Sequence, residues 1–533
     1  MTGSGWLRAA IVAVFLACSL WGLEQDLPYT PEVDEPSFVV PAGRIAATGN
    51  LNPHWFGHPG STVIYPLAGL YHLWQAAAHG GTWLHPTRQM AETFRASPSE
   101  FFLIGRLLMV AFAVFGFPLV HQIGRQTLGE RAGLIAAWLT AICPLLVAHA
   151  QLVRTDTACF FFALLALAAC LRLLDDASPG RQLLAGAAVG LAIATKYSLA
   201  ALLPVLLVAN VLTLGSTRRR DDGWLGVALG LLAVPAAFAL TSPYFFIELP
   251  AALADVRYET SKGHLGADTL SPWRNLWWYV TQALPASLGW PVTLAAGAGL
   301  VLLAWRRRPS ELLLLTFVLA VMLELAFSRL HWERWLIPIL PVVALAAGGA
   351  LCDGIARLRL GARPARAVGA AAVLVLSLAP AYGTIRLGLQ HANPSTRRAA
   401  RDWIVARVPG GSRIAQEWYT APLVADDFYG YSRDRYAPVT VDSGKRFLVL
   451  ERHALADGRT LVDYRREGFE YLVASNAMYD RYLAEADRYA AEAEFYRTLF
   501  REGELLEQFS PSRVRGGPII RVYRLAALTA RSP

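Results

Sequence analysis

Two adjacent carboxylates, Asp34 and Glu35, follow the first long apolar stretch of the chain. Ionisable residues beside an apolar stretch are costly in a membrane unless they serve a function. A carboxylate is a common general base for taking a proton from a hydroxyl group. We therefore predict that Asp34 and Glu35 are catalytic. The alternative for Asp34 is a cap on the helix that follows it.

A third carboxylate, Asp156, belongs to the sequence Arg154-Thr155-Asp156 in a very short turn between two other apolar stretches. We predict that Asp156 is also catalytic, with helix capping as the alternative. Lys196 interrupts a further apolar run, which is expensive unless the side chain faces a cavity or reaches back to the membrane surface. Cationic side chains at that depth suit a phosphate group.

Further polar residues are predicted to lie in the same layer, at the outer ends of the apolar stretches. These cavity candidates are Arg154, Tyr244, Lys262, His264, Arg329, His331 and Arg334. An alternative for the segment from Arg329 to Arg334 is an interfacial belt with its two tryptophans.

A metal site is only weakly indicated. His54 and His58 are four residues apart, but the prolines and glycines around them argue against a regular helix, so a loop role is favoured. The metal ligands stay unknown, with Glu35, His54 and His58 as weak candidates, and a divalent metal is left open. No cofactor is certain.

The composition excludes an ordinary soluble protein, because 55% of the residues are hydrophobic and only 17% are charged. We predict a mainly α, polytopic membrane protein of about 11 transmembrane helices. The apolar stretches run over 6–23, 101–121, 132–150, 157–174, 182–195, 197–214, 224–243, 285–305, 311–328, 335–352 and 367–387. The first could also be a cleaved signal peptide, but an uncleaved helix is favoured.

Arginines concentrate in alternate short loops, which are therefore predicted to be cytoplasmic. The runs Arg218–Arg220 and Arg306–Arg308 abut apolar stretches, so they indicate membrane topology rather than nucleic-acid binding. The opposite side then receives the loops 24–100 and 244–284 and the C-terminus. All five cysteines fall in or at the edge of apolar stretches, which predicts no disulfide framework.

Two domains are predicted. Residues 1–390 form the membrane module, with surface helices in its first outer loop, 24–100, and a second outer loop at 244–284. Residues 391–533 have a soluble composition and form a small extracytoplasmic α/β domain. In that domain, strand-like segments at 412–419, 446–451, 469–475 and 519–525 are interspersed with helical ones at 397–407, 456–467 and 477–502.

The order of several short motifs resembles the GT-C glycosyltransferases that use lipid-linked sugars, over about residues 1–390. Within them the chain is most similar to the bacterial phospholipid-carrier-dependent group, related to protein O-mannosyltransferases and aminoarabinose transferases. The motifs are Val33-Asp34-Glu35, Gly49 to Gly60, Arg154-Thr155-Asp156, Ala194-Thr195-Lys196-Tyr197, Ser242-Pro243-Tyr244 and Arg334-Trp335-Leu336-Ile337-Pro338.

The resemblance implies a GT-C-like catalytic module and an inverting transfer from a polyprenyl-phosphate sugar at the periplasmic face of the bacterial inner membrane. Asp34 would be the general base or would position the acceptor, and Asp156 would be a second acidic residue. Candidates for the donor phosphate are Lys196, Arg329, Arg334 and His58. His58 stands where the family often has a lysine before paired prolines.

The implied partners are the donor lipid, the membrane and a lipid, polysaccharide or protein acceptor, with no nucleic acid. Two other classes stay open. A transporter or flippase would also have many spans and ionisable residues near a cavity, although no internal repeat is visible in the sequence. A non-catalytic lipid-binding receptor with an outer sensor domain is the other alternative.

Overall fold

The computed structural model describes residues 3–30, 32, 34–79, 89–214, 223–261, 270–424, 435–440 and 444–526. These residues form two compact units. The first contains Met1–Leu20, Pro41–Met90 and Ile104–Ile385, and the second contains Trp21–Val40, Ala91–Leu103 and Arg386–Pro533.

Helices dominate the chain up to residue 391. The α-helices are Gly3–Leu20, Pro36–Thr48, Ser61–His79, Gln89–Ala96, Pro98–Thr127, Glu130–Ala141, Pro144–Ala150, Thr155–Leu173, Pro179–Thr195, Leu203–Leu214, Gly223–Thr241, Pro243–Ile247, Leu249–Glu259, Pro272–Trp278, Leu284–Leu288, Trp290–Arg306, Pro309–Phe327, Leu340–Arg357 and Ala362–His391. Short 3-10 helices cover Tyr197–Leu202 and Glu333–Leu336, and a π-helical turn covers Tyr279–Ala283.

Six of the described helices are long and apolar enough to cross a membrane. A seventh span results if Glu130–Ala141 and Pro144–Ala150, which meet at an angle of 60°, are counted together. Pro144 has no N–H for the preceding turn, which accounts for the break. Each predicted apolar stretch contains helix, so the chain is a mainly helical, multi-pass membrane protein. The exact number of eleven spans stays a prediction.

Close helix packing fixes the helix that ends next to Lys196. Gly186 and Gly190 lie four residues apart on Pro179–Thr195 and face Gly223–Thr241. A β-carbon at either glycine would collide with a backbone carbonyl of the facing helix, that of Gly230 or of Val234. Small residues at this spacing let the backbones of membrane helices approach closely. The end of Pro179–Thr195 is therefore held firmly.

The second unit contains a six-stranded mixed sheet. Its strands are β1 (Arg413–Glu417), β2 (Arg435–Thr440), β3 (Arg446–Arg452), β4 (Tyr471–Ser475), β5 (Glu504–Phe509) and β6 (Ile520–Arg524), in the order β2-β3-β1-β4-β6-β5. Strand β1 pairs in parallel with β3 and β4, and the remaining pairs are antiparallel.

Apolar clusters pack among the strands and helices of this unit. One includes Ile404 of helix Thr396–Arg407 with Val449 and Val473 of the strands. The other contains Tyr464 and Tyr496, from helices Leu461–Arg466 and Ala490–Glu502. The single helix predicted over 477–502 is in fact two, Asn476–Ala484 and Ala490–Glu502. The unit is thus an α/β domain.

A buried carboxylate, Glu417, ends strand β1 and ties neighbouring segments to it. Its oxygens accept hydrogen bonds from the backbone N–H of Ser475 at 2.7 Å and of Leu455 at 3.0 Å, and from the Tyr496 hydroxyl at 2.6 Å. Burial raises the pKa of Glu417 to about 7, although these hydrogen bonds act to lower it.

The stability of this unit should therefore depend on pH. Between the usual pKa of 4.5 and about 7, the folded state holds the Glu417 proton while the unfolded chain releases it. The contribution of Glu417 to the free energy of unfolding is complete below pH 4.5. It falls by up to about 3 kcal/mol as the pH rises to 7. Hydrogen exchange of the β1 and β4 amides, corrected for intrinsic exchange rates, measures this pH dependence of stability. Glu417→Gln should flatten the dependence, and Glu504→Gln, at an exposed position on β5, should retain it.

Candidate functional site

A buried carboxylate organises the polar centre of the first unit. Arg154 is in an extended conformation, and helix Thr155–Leu173 begins directly after it. Asp156 therefore falls in the first helical turn, where the helix dipole favours a negative charge. Its side chain is only 4% exposed. An ionised carboxylate at this depth requires positively charged neighbours.

Three cationic side chains surround Asp156. The Lys196 ammonium lies 2.9 Å from Oδ1, and Nε atoms of Arg154 and Arg334 lie 3.7 and 3.9 Å from Oδ2. Lys196 follows the end of helix Pro179–Thr195, and Arg334 belongs to the 3-10 turn Glu333–Leu336. The structure thus brings together four residues that the sequence placed in one layer. We call them the Asp156 cluster.

The charges of the Asp156 cluster suit an anion. Three cationic side chains converge on one carboxylate, and such a cluster of cations suits a phosphate group. Because its oxygens already contact cations, Asp156 is better placed to hold those cations than to accept a proton.

Aromatic rings support two of the cations. Lys196 lies 5.7 Å from the ring centre of Trp335, and Arg334 lies 4.8 Å from that of Trp332. The Tyr279 hydroxyl in the π-helical turn accepts a hydrogen bond from the backbone N–H of Trp332 at 3.1 Å. Trp332 and Trp335, which suggested an interfacial belt, therefore also contact cations of the Asp156 cluster.

His149 is a neighbour of the cluster that the sequence analysis missed. It lies within electrostatic range of Asp156, Arg154 and Arg334. Its Nδ1 is 2.9 Å from the Leu145 carbonyl oxygen, so Nδ1 carries hydrogen and Nε2 is the acceptor in the neutral ring. A single histidine in an apolar run gives no signal in sequence.

The first-loop segment that contains His58 is anchored beside Lys196. Tyr197 donates a hydrogen bond to the Phe56 carbonyl oxygen at 2.9 Å, and the Thr62 hydroxyl donates to the Thr195 hydroxyl at 2.8 Å. His58 is half-buried with its ring 5.1 Å from that of Trp55. The segment has no regular helix, as its prolines and glycines predicted.

Other predicted residues of the first unit lie around this region. His54 is exposed and has a positive φ of 61°. Tyr244 is half-buried on helix Pro243–Ile247, just after Ser242, whose hydroxyl lies 2.8 Å from that of Ser61. His331 packs against Trp278, with ring centres 4.5 Å apart. Arg329 is exposed and is not among the cations on Asp156. Lys262 and His264 lie outside the described residues.

The acidic pair of the first loop belongs to the second unit. Asp34 is half-buried in the turn before helix Pro36–Thr48, and its backbone carbonyl oxygen accepts a hydrogen bond from Ser37 at 3.1 Å. The Glu35 side chain is fully buried. Within the described ranges, no three histidine, cysteine, aspartate or glutamate side chains are grouped as a metal site requires.

Comparisons with known proteins agree with this architecture. Residues 100–245 match the family described as dolichyl-phosphate-mannose-protein mannosyltransferase. No curated protein sequence matches.

Solved structures resemble the whole chain. ArnT from Cupriavidus metallidurans bound to undecaprenyl phosphate is 17% identical, with 98% of each chain covered and a TM-score of 0.51. Its apo state is 16% identical, with the same coverage and TM-score. The archaeal oligosaccharyltransferase AglB from Archaeoglobus fulgidus is 13% identical over 98% of this chain and 75% of its own, with a TM-score of 0.47. The chain has the fold of the GT-C glycosyltransferases, and the resemblance seen in its sequence is confirmed at that level.

Proposed function

We propose that this chain is an inverting glycosyltransferase of the bacterial inner membrane. It moves a sugar from a polyprenyl-phosphate donor to an acceptor hydroxyl or phosphate at the periplasmic face. The observation that carries the proposal is the Asp156 cluster, in which three cationic side chains converge beside the ends of membrane helices. The ArnT structure with the same fold contains undecaprenyl phosphate, a ligand of the expected chemistry.

The donor phosphate is assigned to the cations of the Asp156 cluster. Lys196, Arg334 and Arg154 stabilise the negative charge that grows on the phosphate as the sugar leaves. Asp156 offsets the mutual repulsion of these cations and holds them in place before the lipid arrives. A site at membrane depth is required because each CH₂ of a polyprenyl chain gains about 0.8 kcal/mol from burial. His58 and Arg329 remain candidates for further phosphate contacts.

The acceptor is assigned to the acidic pair. An acceptor hydroxyl oxygen attacks the anomeric carbon from the side opposite the phosphate, and the bond between that carbon and the phosphate oxygen breaks. Asp34 takes the hydroxyl proton, and the polyprenyl phosphate leaves with the bonding electrons. Glu35 follows Asp34 directly in the sequence and is buried. It positions Asp34. One displacement inverts the configuration at the anomeric carbon.

The test is a transfer assay with the full chain in lipid nanodiscs. Radiolabelled polyprenyl-phosphate sugars are incubated with envelope lipids, polysaccharides and proteins as acceptors. We expect label to appear in one acceptor class while free polyprenyl phosphate accumulates. Movement of an intact donor across liposome membranes would indicate a flippase, and binding without turnover would indicate a receptor. Either result contradicts the proposal.

Replacing Lys196 should weaken donor binding selectively. Lys196→Gln removes the cation nearest to Asp156, and a charge-assisted hydrogen bond contributes about 1.5–3 kcal/mol. The Kd for undecaprenyl phosphate should therefore rise about 10- to 100-fold, as measured by native mass spectrometry in nanodiscs. The matched control is Arg274→Gln, at an exposed position on helix Pro272–Trp278. Equal Kd values for the two variants would exclude Lys196 as a phosphate ligand.

A further inference from the structure

A cleft of ≈ 470 Å³ lies wholly within the second unit. Gln416 and Glu417 at the carboxyl end of β1, and Glu451 near that of β3, contribute to its wall. Strand β1 lies between β3 and β4, which are parallel to it and follow it in the chain. In open parallel sheets, ligands bind in the crevice outside the carboxyl ends of strands where the strand order changes direction. The cleft has this position.

One wall of the cleft offers polar groups that recognise hydroxyls. The Gln416 amide donates a hydrogen bond to Glu451 Oε2 at 2.8 Å. The other Gln416 amide atom, Oε1, is buried and has no donor among the described residues. Arg397 is fixed by hydrogen bonds to the carbonyl oxygens of Thr420 at 2.8 Å and Thr30 at 2.9 Å. A carboxylate, an amide and a guanidinium thus line one side.

Aromatic side chains line the loop that follows β1. Trp418 and Tyr419 are both half-buried in the cleft lining. Tyr419 has a φ of 60°, in the left-handed region that non-glycine residues rarely adopt. The Thr420 hydroxyl donates a hydrogen bond to the Glu417 carbonyl oxygen and holds this turn. Backbone strain of this kind persists where surrounding contacts impose it, commonly at ligand sites.

The cleft lining carries charged groups of both signs. The Glu451 carboxylate and the guanidinium groups of Arg95 and Arg397 belong to it, whereas Glu417 holds its proton below about pH 7. A single ligand therefore meets both hydrogen-bond donors and acceptors there, and a strongly cationic ligand is not favoured. Aromatic rings beside hydroxyl-binding groups suit a neutral sugar ring, which has apolar C–H faces and polar edges.

The cleft adjoins the segment that carries the acidic pair. Tyr29 and Thr30, which precede the pair in the sequence, line the cleft. Pro36, which follows Glu35 directly, lines it as well. We propose that the cleft binds a neutral saccharide unit of the acceptor. The inference rests on the proposed function, and it narrows the acceptor to a glycan or glycolipid.

The test measures saccharide binding without requiring transfer. Methyl glycosides of glucose, mannose, galactose and arabinose are titrated against the full chain in nanodiscs, with saturation-transfer NMR as the readout. We expect at least one glycoside to bind. Trp418→Ala and Glu451→Ala should each weaken its affinity at least about tenfold, which corresponds to about 1.4 kcal/mol. Trp418→Phe should restore part of the affinity, and Glu504→Gln on β5 should leave it unchanged.

Three results would overturn the inference. The first is that no glycoside binds to the wild type. The second is that affinity is unchanged in variants whose β1 and β4 amides remain protected from exchange, and the third is that a serine-containing peptide binds in place of the glycosides. If donor lipid is turned over while no glycoside binds, the cleft assignment alone fails. If a glycoside binds but no donor is ever consumed, the proposed transfer fails and the saccharide site stands.

Discussion

Asp34→Asn is expected to lower the rate of sugar transfer about 10²- to 10⁴-fold, the usual contribution of a general base. The amide cannot accept the proton of the acceptor hydroxyl. The affinity for undecaprenyl phosphate should stay unchanged, because the proposed phosphate contacts come from Lys196, Arg334 and Arg154. Single-turnover transfer and lipid binding measured on the same preparation separate the two effects. Full transfer by the folded variant would show that Asp34 is not the base.

Two controls make this result specific. Glu24→Gln changes an exposed carboxylate in the same segment of the second unit and should leave transfer unchanged. The pH profile is the second control, because wild-type transfer should fall at low pH as the base becomes protonated, and Asp34→Asn should lack this decline. Unfolding linked to Glu417 cannot imitate it, because that group stabilises the fold as pH falls. A decline that persists in Asp34→Asn would assign the base to another residue.

Asp156→Asn is expected to destabilise the first unit by about 3–5 kcal/mol, the usual effect of removing one partner from a buried ion pair. The side chains of Arg154 and Asp156 are only 5% and 4% exposed, and that of Lys196 is 12% exposed. The variant leaves three cations close together without their carboxylate. All five cysteines lie within segments of the first unit, so a thiol-reactive dye during heating reports the unfolding of this unit specifically.

A double variant tests the cause of this loss. Asp156→Asn combined with Lys196→Met removes one of the repelling cations and should recover about 0.5–3 kcal/mol, the range of coupling between contacting residues. The matched control is Asp176→Asn, which breaks a half-exposed pair with Arg181 at 3.3 Å and should change stability by less than about 1 kcal/mol. Equal stability of Asp156→Asn and the wild type would mean that the cations do not depend on the carboxylate.

The residues of the Asp156 cluster could be predicted because charge beside an apolar stretch is expensive wherever it occurs. That argument selected Lys196, Arg154, Asp156 and Arg334 one at a time, and the structure then joined them through Asp156. His149 could not be selected in this way. Its approach to the cluster depends on the 60° bend between two helix segments, and Pro144 explains a break there but does not specify its angle.

The sheet was predicted only in part, because local patterns indicate individual strands but not the order in which they pair. Strands β1, β3, β4 and β6 were predicted from their alternating apolar residues. Strand β2 was not predicted. It contains Pro438 and lies at the sheet edge, where a missing N–H is tolerated. The cleft depends on the strand order, which brings distant segments together. Nothing in the sequence stated that order.

The second unit is assembled from three separated parts of the chain. Ser395 donates its backbone N–H to Asp26 at 3.0 Å, and Arg398 donates to the Leu27 carbonyl oxygen at 3.1 Å, across 369 and 371 positions of the chain. The second unit therefore cannot fold completely until nearly the entire polypeptide has been synthesised and all intervening spans have been inserted. An excised fragment of residues 391–533 would lack its own structural partners. Inhibitor screens and antibody selections directed at this domain should use the intact protein.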